Sequence, residues 1–146
     1  MSKKWKCGKC GKEYSYQEFD KLKSIPLVPE DPYRYGLTNV CECGYVFHRD
    51  KWYMKTPLEL QTEYGPLKVE VSTVFLELNH GTDENPLWYE TMVFPGNIGN
   101  YEIECWYEER YETKEEAIKG HEKVVNLLKN GKFKLKPDHL LLIIEE

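Results

Sequence analysis

The sequence predicts an α+β fold: a small cysteine-bearing module over residues 1–56, then an antiparallel β-meander packed by one amphipathic helix over residues 67–146. Three observations predict it. Four of the five cysteines stand as two close pairs, Cys7 with Cys10 and Cys41 with Cys43. From Leu67 onward, runs of β-branched and aromatic residues alternate with clusters of turn formers. Finally, "YETKEEAIKGHEKVVNLLKNGK" carries a helical period with start and stop signals at its two ends.

The bulk properties bound the answer. A chain of 146 residues holds one moderate domain, or a small module beside a domain of under about a hundred residues. Tyrosine and tryptophan dominate the aromatic content, so much of the apolar surface carries a polar tip. Lys3, Lys4 and Lys6 are followed by cysteine and glycine rather than by the apolar run of a signal peptide. The longest apolar run, "LLLII", falls far short of the ~18 residues that span a bilayer. These features predict a soluble, cytoplasmic protein with no membrane partner. In a reducing compartment an odd cysteine count argues against a disulfide framework and for metal binding. Charge is uneven: residues 1–60 carry +3 and residues 61–146 carry −8. An acidic chain does not coat nucleic acid over its whole surface, although the N-terminal part could make a local contact.

Taken in order, the first element is the module itself. Its centre, "SIPLVPEDPYRYGLTN", holds three prolines and a glycine and reads as a long loop between two metal knuckles. Thr56-Pro57 through Gly65-Pro66 reads as the junction to the second part. There, Val69 to Asn79 forms a long strand, "HGTDENP" a turn, "LWYETMVF" a second strand, "PGNIGN" a loop and "YEIECWYEER" a third strand. Short loops between successive strands favour an antiparallel meander. Thr113 with Glu116 makes a capping box for a helix over about 114–130. Ala117, Ile118, His121, Val124, Val125 and Leu128 share one face of that helix, and Gly131 stops it. The closing "PDHLLLIIEE" reads equally as a buried strand or a short helix.

Zinc takes four ligands in a tetrahedron, and thiolates are its usual structural ligands. Cys7-Gly8-Lys9-Cys10-Gly11-Lys12 has the spacing of a zinc knuckle, in which backbone amides point back at the sulfurs. Cys41-Glu42-Cys43 is one residue tighter but keeps the Cys-Gly-aromatic ending. The expected ligands are Cys7, Cys10, Cys41 and Cys43, holding a structural Zn2+ in a zinc-ribbon-like module. A set in which His48 replaces Cys41 is the alternative. Four thiolates leave no open coordination position, so the site is closed to zinc chemistry. Lys3, Lys4, Trp5 and Lys6 form a basic cluster with one aromatic ring, which could hold phosphates and stack on a base. A solvated, lysine-rich terminus is the plainer reading.

A second group carries titratable chemistry. Val74, Leu76, Leu78 and His80 share one side of the first strand, and Trp88, Glu90, Met92 and Phe94 one side of the second. If these faces meet the helix, His80, Glu90 and His121 converge as a polar cluster able to hold a divalent metal or move a proton. A buried hydrogen-bonded cluster that fixes helix on sheet uses the same residues. No H-E-x-x-H, phosphate loop or G-x-S-x-G occurs. Cys105 reads as a small core residue.

"VSTVFLELNH", "PLWYETMVF" and "YETKEEAIKGH" together resemble a family of small proteins encoded by bacteriophages and prophages. The shared pattern is a strand ending in histidine, an "(F/Y)ETMVF" strand and a "T-x-x-E-A-x-x-G-H" helix start. It covers about residues 67–121, with Tyr89 in place of the more usual phenylalanine. Some members also carry the cysteine module. The resemblance implies a viral setting and a host protein as partner. The resulting expectation is a non-enzymatic, zinc-binding protein that modulates a host polymerase, nuclease or defence component. A nucleic-acid-binding module and a metal-dependent enzyme on His80, Glu90 and His121 are the alternatives, and exposed sheet edges allow a homodimer.

Overall fold

The computed structural model describes residues 3–145 and has an α+β architecture of mostly antiparallel sheets with one main helix. The chain divides into two compact units. Residues 1–52 and 75–88 make the first, and residues 53–74 and 89–146 the second. The first unit therefore takes in a segment, 75–88, that the sequence reading assigned to the strand-and-turn region downstream.

In the first unit the strands are short. β1 (Trp5–Lys6) pairs antiparallel with β2 (Glu13–Tyr14), and β3 (Lys23–Pro26) with β4 (Leu37–Val40). Between them lies a one-turn helix, α1 (Tyr16–Asp20), which the sequence reading did not identify. Its signal is Ser15-x-x-Glu18, a complete capping box: the Ser15 hydroxyl accepts from the Glu18 N–H, and the Glu18 carboxylate accepts from the Ser15 N–H. The core of this unit is aromatic. Trp5 stacks on Phe19 at 4.0 Å between ring centroids, and Phe47 meets Trp5, Tyr14, Phe19 and Tyr45 edge-on. Cys7 and Cys41 are buried in the same cluster. So few apolar side chains cannot close a core without help, and the sulfurs fill part of it.

The second unit holds a four-stranded sheet in the order β11-β7-β6-β5, built from β5 (Tyr53–Thr62), β6 (Gly65–Phe75), β7 (Tyr89–Pro95) and β11 (Glu108–Tyr111). β5 and β6 form a hairpin, Tyr53 opposite Val74 down to Thr62 opposite Gly65. The expected junction at 56–66 is thus a strand and a turn. Pro57 and Pro66 read as breakers, but Pro57 lies in the edge strand β5, where proline is tolerated, and Pro66 is only the second residue of β6. The expected strand over 69–79 starts earlier and ends at Phe75; beyond it Glu77 turns to φ 68°.

One further expectation is corrected, and one left open between strand and helix is decided. "YEIECWYEER" is three short pieces: β9 (Tyr101–Glu102), paired with β8 (Asn97–Ile98), then β10 (Glu104–Cys105), then β11. The chain changes sheets between Cys105 and Glu108, with Trp106 left exposed at the crossing. The closing segment resolves as a strand, β13 (Leu140–Ile143), which pairs parallel with β10 and antiparallel with β12 (Phe133–Leu135).

Helix α2 runs Lys114–Lys129, within one residue of its expected end. Ala117, His121, Val124, Val125 and Leu128 are buried as its spacing requires, with Ile118 half-buried. The N-cap is half of a capping box. The Thr113 hydroxyl accepts from the Glu116 N–H, but the Glu116 carboxylate accepts from that same hydroxyl instead of a backbone N–H. Gly131 ends the helix at φ 74°, a conformation that costs glycine little. The helix packs on Leu67, Val69, Val71 and Val93 of the sheet and on Leu141 of β13.

Candidate metal centre

The two cysteine turns are built alike. In the first, the Cys7 N–H donates to the Lys12 carbonyl and the Gly11 N–H to the Cys7 carbonyl, at 2.9 and 3.0 Å. In the second, the Cys41 N–H donates to the Tyr45 carbonyl and the Gly44 N–H to the Cys41 carbonyl, both at 2.8 Å. The second turn is one residue shorter, which is how a C-x-C pair presents its sulfurs together.

The four sulfurs all lie within 4.8 Å of one another, with Cys7 to Cys43 at 3.5 Å and Cys10 to Cys41 at 3.6 Å. A tetrahedron of thiolates at ~2.3 Å from zinc has edges of about 3.8 Å. The thiols are free rather than bridged, so the donor set and its spacing fit one tetrahedral dication. The N–H groups of Lys9 and Cys10 point at the Cys7 sulfur, each at 3.4 Å. The Tyr14 hydroxyl lies 2.9 Å from the Cys41 sulfur. Such donors offset thiolate charge and orient a metal's ligands. Burial pushes the Cys7 thiol up to about 12, so in the absence of a cation it holds its proton. A bound dication deprotonates its thiol ligands and releases those protons.

His48 is not part of the quartet. Its ring lies 5.9 Å from Trp5, edge-on, and its Nδ1 is 3.4 Å from the carboxylate of Glu77.

Glu77 is the residue the sequence reading passed over. Its side chain is fully buried, and its carboxylate accepts from the Tyr45 hydroxyl at 2.8 Å and from the His48 N–H at 2.9 and 3.0 Å. Burial, and then the neighbouring Glu77, drive the Tyr45 phenol well above its ordinary range, so Tyr45 stays a donor. No sequence pattern marks Glu77; in "FLELN" it reads as the outward position of an alternating strand.

The basic cluster is largely committed within its own unit. Lys3 pairs with Glu18, Lys12 with Glu42 at 3.0 Å, and Lys6 lies over the Trp88 ring at 5.5 Å. Trp5, expected as a platform for a base, is instead stacked in the aromatic core. The reason is that this small core is built from rings, with Trp5 packed beside Tyr14, Phe19, Tyr45 and Phe47.

Glu90 and His121 do not converge as expected, and His80 belongs to the other compact unit. His80 is exposed in the first unit, where its N–H donates to the Leu87 carbonyl. In the second unit the core face of β7 carries Thr91 and Val93, so Glu90 points the other way and pairs with Arg110 at 2.9 Å. The core side of β6 is likewise Leu67, Val69, Val71 and Thr73, not the even-numbered set. Both strands are apolar on two faces, and a one-residue shift of register exchanges the faces. His121 is buried and satisfied by hydroxyls, with Nε2 2.7 Å from Thr56 and Nδ1 2.8 Å from Thr73. Thr73 also meets Thr91 at 2.6 Å, and Tyr111 donates to Thr91 at 3.1 Å. This is the buried hydrogen-bonded arrangement, and neither of the larger surface cavities of the second unit, about 730 and 560 Å3, is lined by Glu90 or His121. Cys105 is half-buried against the core, and burial raises its thiol.

Fold and site together define an α+β protein with a four-cysteine group suited to a metal ion. No family model, curated protein or solved structure matches the chain. Among the described residues, no helix is long and apolar enough to cross a membrane.

Proposed function

We propose that the chain is a non-enzymatic interaction protein whose first unit is stapled by one structural zinc on Cys7, Cys10, Cys41 and Cys43, as in a zinc ribbon. The observation that carries the metal is the sulfur quartet, with all four atoms within 4.8 Å and both turns closed by backbone hydrogen bonds. Zinc there folds the unit and performs no chemistry, because four protein thiolates fill its coordination shell.

What the staple supports is the loop between β3 and β4. Arg49 donates from Nε to the Leu27 carbonyl at 3.0 Å and from its guanidinium to that of Pro26, and the Leu27 N–H donates to Gly36 at 2.9 Å. That anchored loop exposes Tyr33 (97%) and Tyr35 (51%) beside Arg34, with Leu37 (68%) exposed where it enters β4. Tyrosine and arginine are the residue types that carry binding energy at protein interfaces, and a pre-ordered loop loses little entropy on docking. The resemblance of Val71–His80, Tyr89–Phe94 and Thr113–His121 to phage and prophage proteins supports a host macromolecule, such as a polymerase, nuclease or defence component, as the partner.

Metal analysis of the purified chain tests the staple: one zinc per chain is expected, and a metal-free, folded protein overturns it. Affinity capture with the wild type against a Tyr33→Ala, Tyr35→Ala, Leu37→Ala variant tests the surface. A specific partner lost in the variant is expected; equal capture by both sinks the loop's role.

A further inference from the structure

Glu77 is used by no part of the staple described above, yet it is bonded beside both halves of it, by its main chain on one side and its buried carboxylate on the other. Through its main chain, Glu77 accepts the N–H of Lys6 at 2.9 Å, the residue that leads directly into Cys7. Through its side chain, it accepts the Tyr45 hydroxyl and the His48 N–H, the segment that leaves Cys43. Tyr45 itself closes the second cysteine turn, since its carbonyl accepts the Cys41 N–H. Its ring packs on the first turn, where a Cβ on Gly8 would stand 3.2 Å from it. One residue thus ties the approach to the first cysteine pair to the exit from the second.

Two backbone observations point the same way. Glu77 and His48 both sit in the left-handed region, at φ 68° and 66°, and they are bonded to each other. Non-glycine residues hold that conformation only where surrounding contacts over-determine it. Burying a carboxylate to secure an apolar core would also be the costlier choice, because a hydrophobic side chain of similar size packs at least as well. A side-chain acceptor for the two donors of Tyr45 and His48 is what the position requires, while its main-chain carbonyl takes the Lys6 N–H.

We propose that Glu77 is the positioning residue of the cysteine quartet: it sets the separation of the two turns, and with it the affinity for the metal. The inference rests on the zinc reading above and adds a regulation of that same site. Binding linkage is reciprocal, so a metal that Glu77 helps to hold must in turn secure the segment around Glu77. Residues 75–88 belong to the first unit and connect β6 to β7, so metal occupancy is transmitted to that connection.

The test uses the full chain, with zinc competed against a chromophoric chelator and Co2+ as the spectroscopic probe. The wild type is compared with Glu77→Gln, Glu77→Leu and Tyr45→Phe. Removing a group bonded directly to a metal ligand weakens binding about 10- to 100-fold. Glu77 bonds the neighbours of the ligands, so a loss of about 10-fold is expected for both Glu77 variants, with a smaller one for Tyr45→Phe. The cobalt d–d bands should shift in the Glu77 variants, a change that lower stability alone does not produce. Hydrogen exchange should rise at Asn79 and His80 when the wild type is stripped of metal, and that difference should vanish in Glu77→Leu. If Glu77→Leu fails to fold, Tyr45→Phe, which keeps the carboxylate and removes one donor, decides. Wild-type affinity and an unshifted cobalt spectrum in the variants that fold overturn the proposal and leave the zinc reading standing. No stoichiometric metal in the wild type overturns the zinc reading itself.

Discussion

At the scale of single residues, His121 and Gly120 carry the sharpest consequences. Burial lowers the pKa of His121 below its ordinary value of 6.5, with only a weak opposing pull from Glu122. The imidazole is therefore neutral in the fold and bonded to Thr56 and Thr73. Below about pH 6.5 the unfolded chain binds a proton that the folded chain refuses. This contribution to stability is full above pH 6.5 and is lost as pH falls from there toward the depressed folded value. Urea unfolding of the wild type and His121→Gln at pH 7.5 and pH 5 should show a larger drop for the wild type; equal drops would remove the assignment. Gly120 is required by space. A Cβ there would stand 2.1 Å from the Tyr111 hydroxyl, which is bonded to Thr91. Gly120→Ala should cost at least about 2 kcal/mol in a denaturant melt. His121 was legible as a polar residue on an apolar helix face. Its partners were not, because Thr56, Thr73 and Thr91 come from three strands and threonine is ordinary in any of them.

At the scale of elements, local signals succeeded where they are one-dimensional. The limits of α2 follow from Thr113, the three-and-four spacing and Gly131. Thr113→Ala removes the acceptor for the Glu116 N–H and should lower stability by about 1 kcal/mol, read from the shift in denaturant midpoint. A change within error would show the cap to be replaceable by water. The strands were legible as strands but not by face or by limit. "VSTVFLELN" has apolar residues at both parities, so alternation alone does not say which side meets the helix. β5 was read as a junction because Pro57 interrupts it, and only its place at the sheet edge explains why proline is admitted.

At the scale of the whole molecule, Cys7 and Cys41 of the quartet lie in the core of the first unit, and the zinc proposed for the quartet can be tested. Cys10→Ser and Cys41→Ser should each abolish stoichiometric zinc or weaken it severely, while His48→Ala should retain one zinc per chain by elemental analysis. Loss of zinc in His48→Ala would restore the ligand set in which that imidazole replaces Cys41. The partition of the chain also bears on mechanism. The segment 75–88 leaves β6, belongs with the cysteine module, and returns into β7. The sequence by itself determined the α+β class, the main helix with its caps, and the thiols that converge, since each depends on residue type and spacing within one short stretch or on a pair of matching turns. Only the tertiary structure decided the buried face of each strand, the burial of Trp5, the separation of Glu90 from His121, and the burial of Glu77. Those depend on contacts between separate stretches of the chain, where a period of two is ambiguous and a lone glutamate carries no mark of what will surround it.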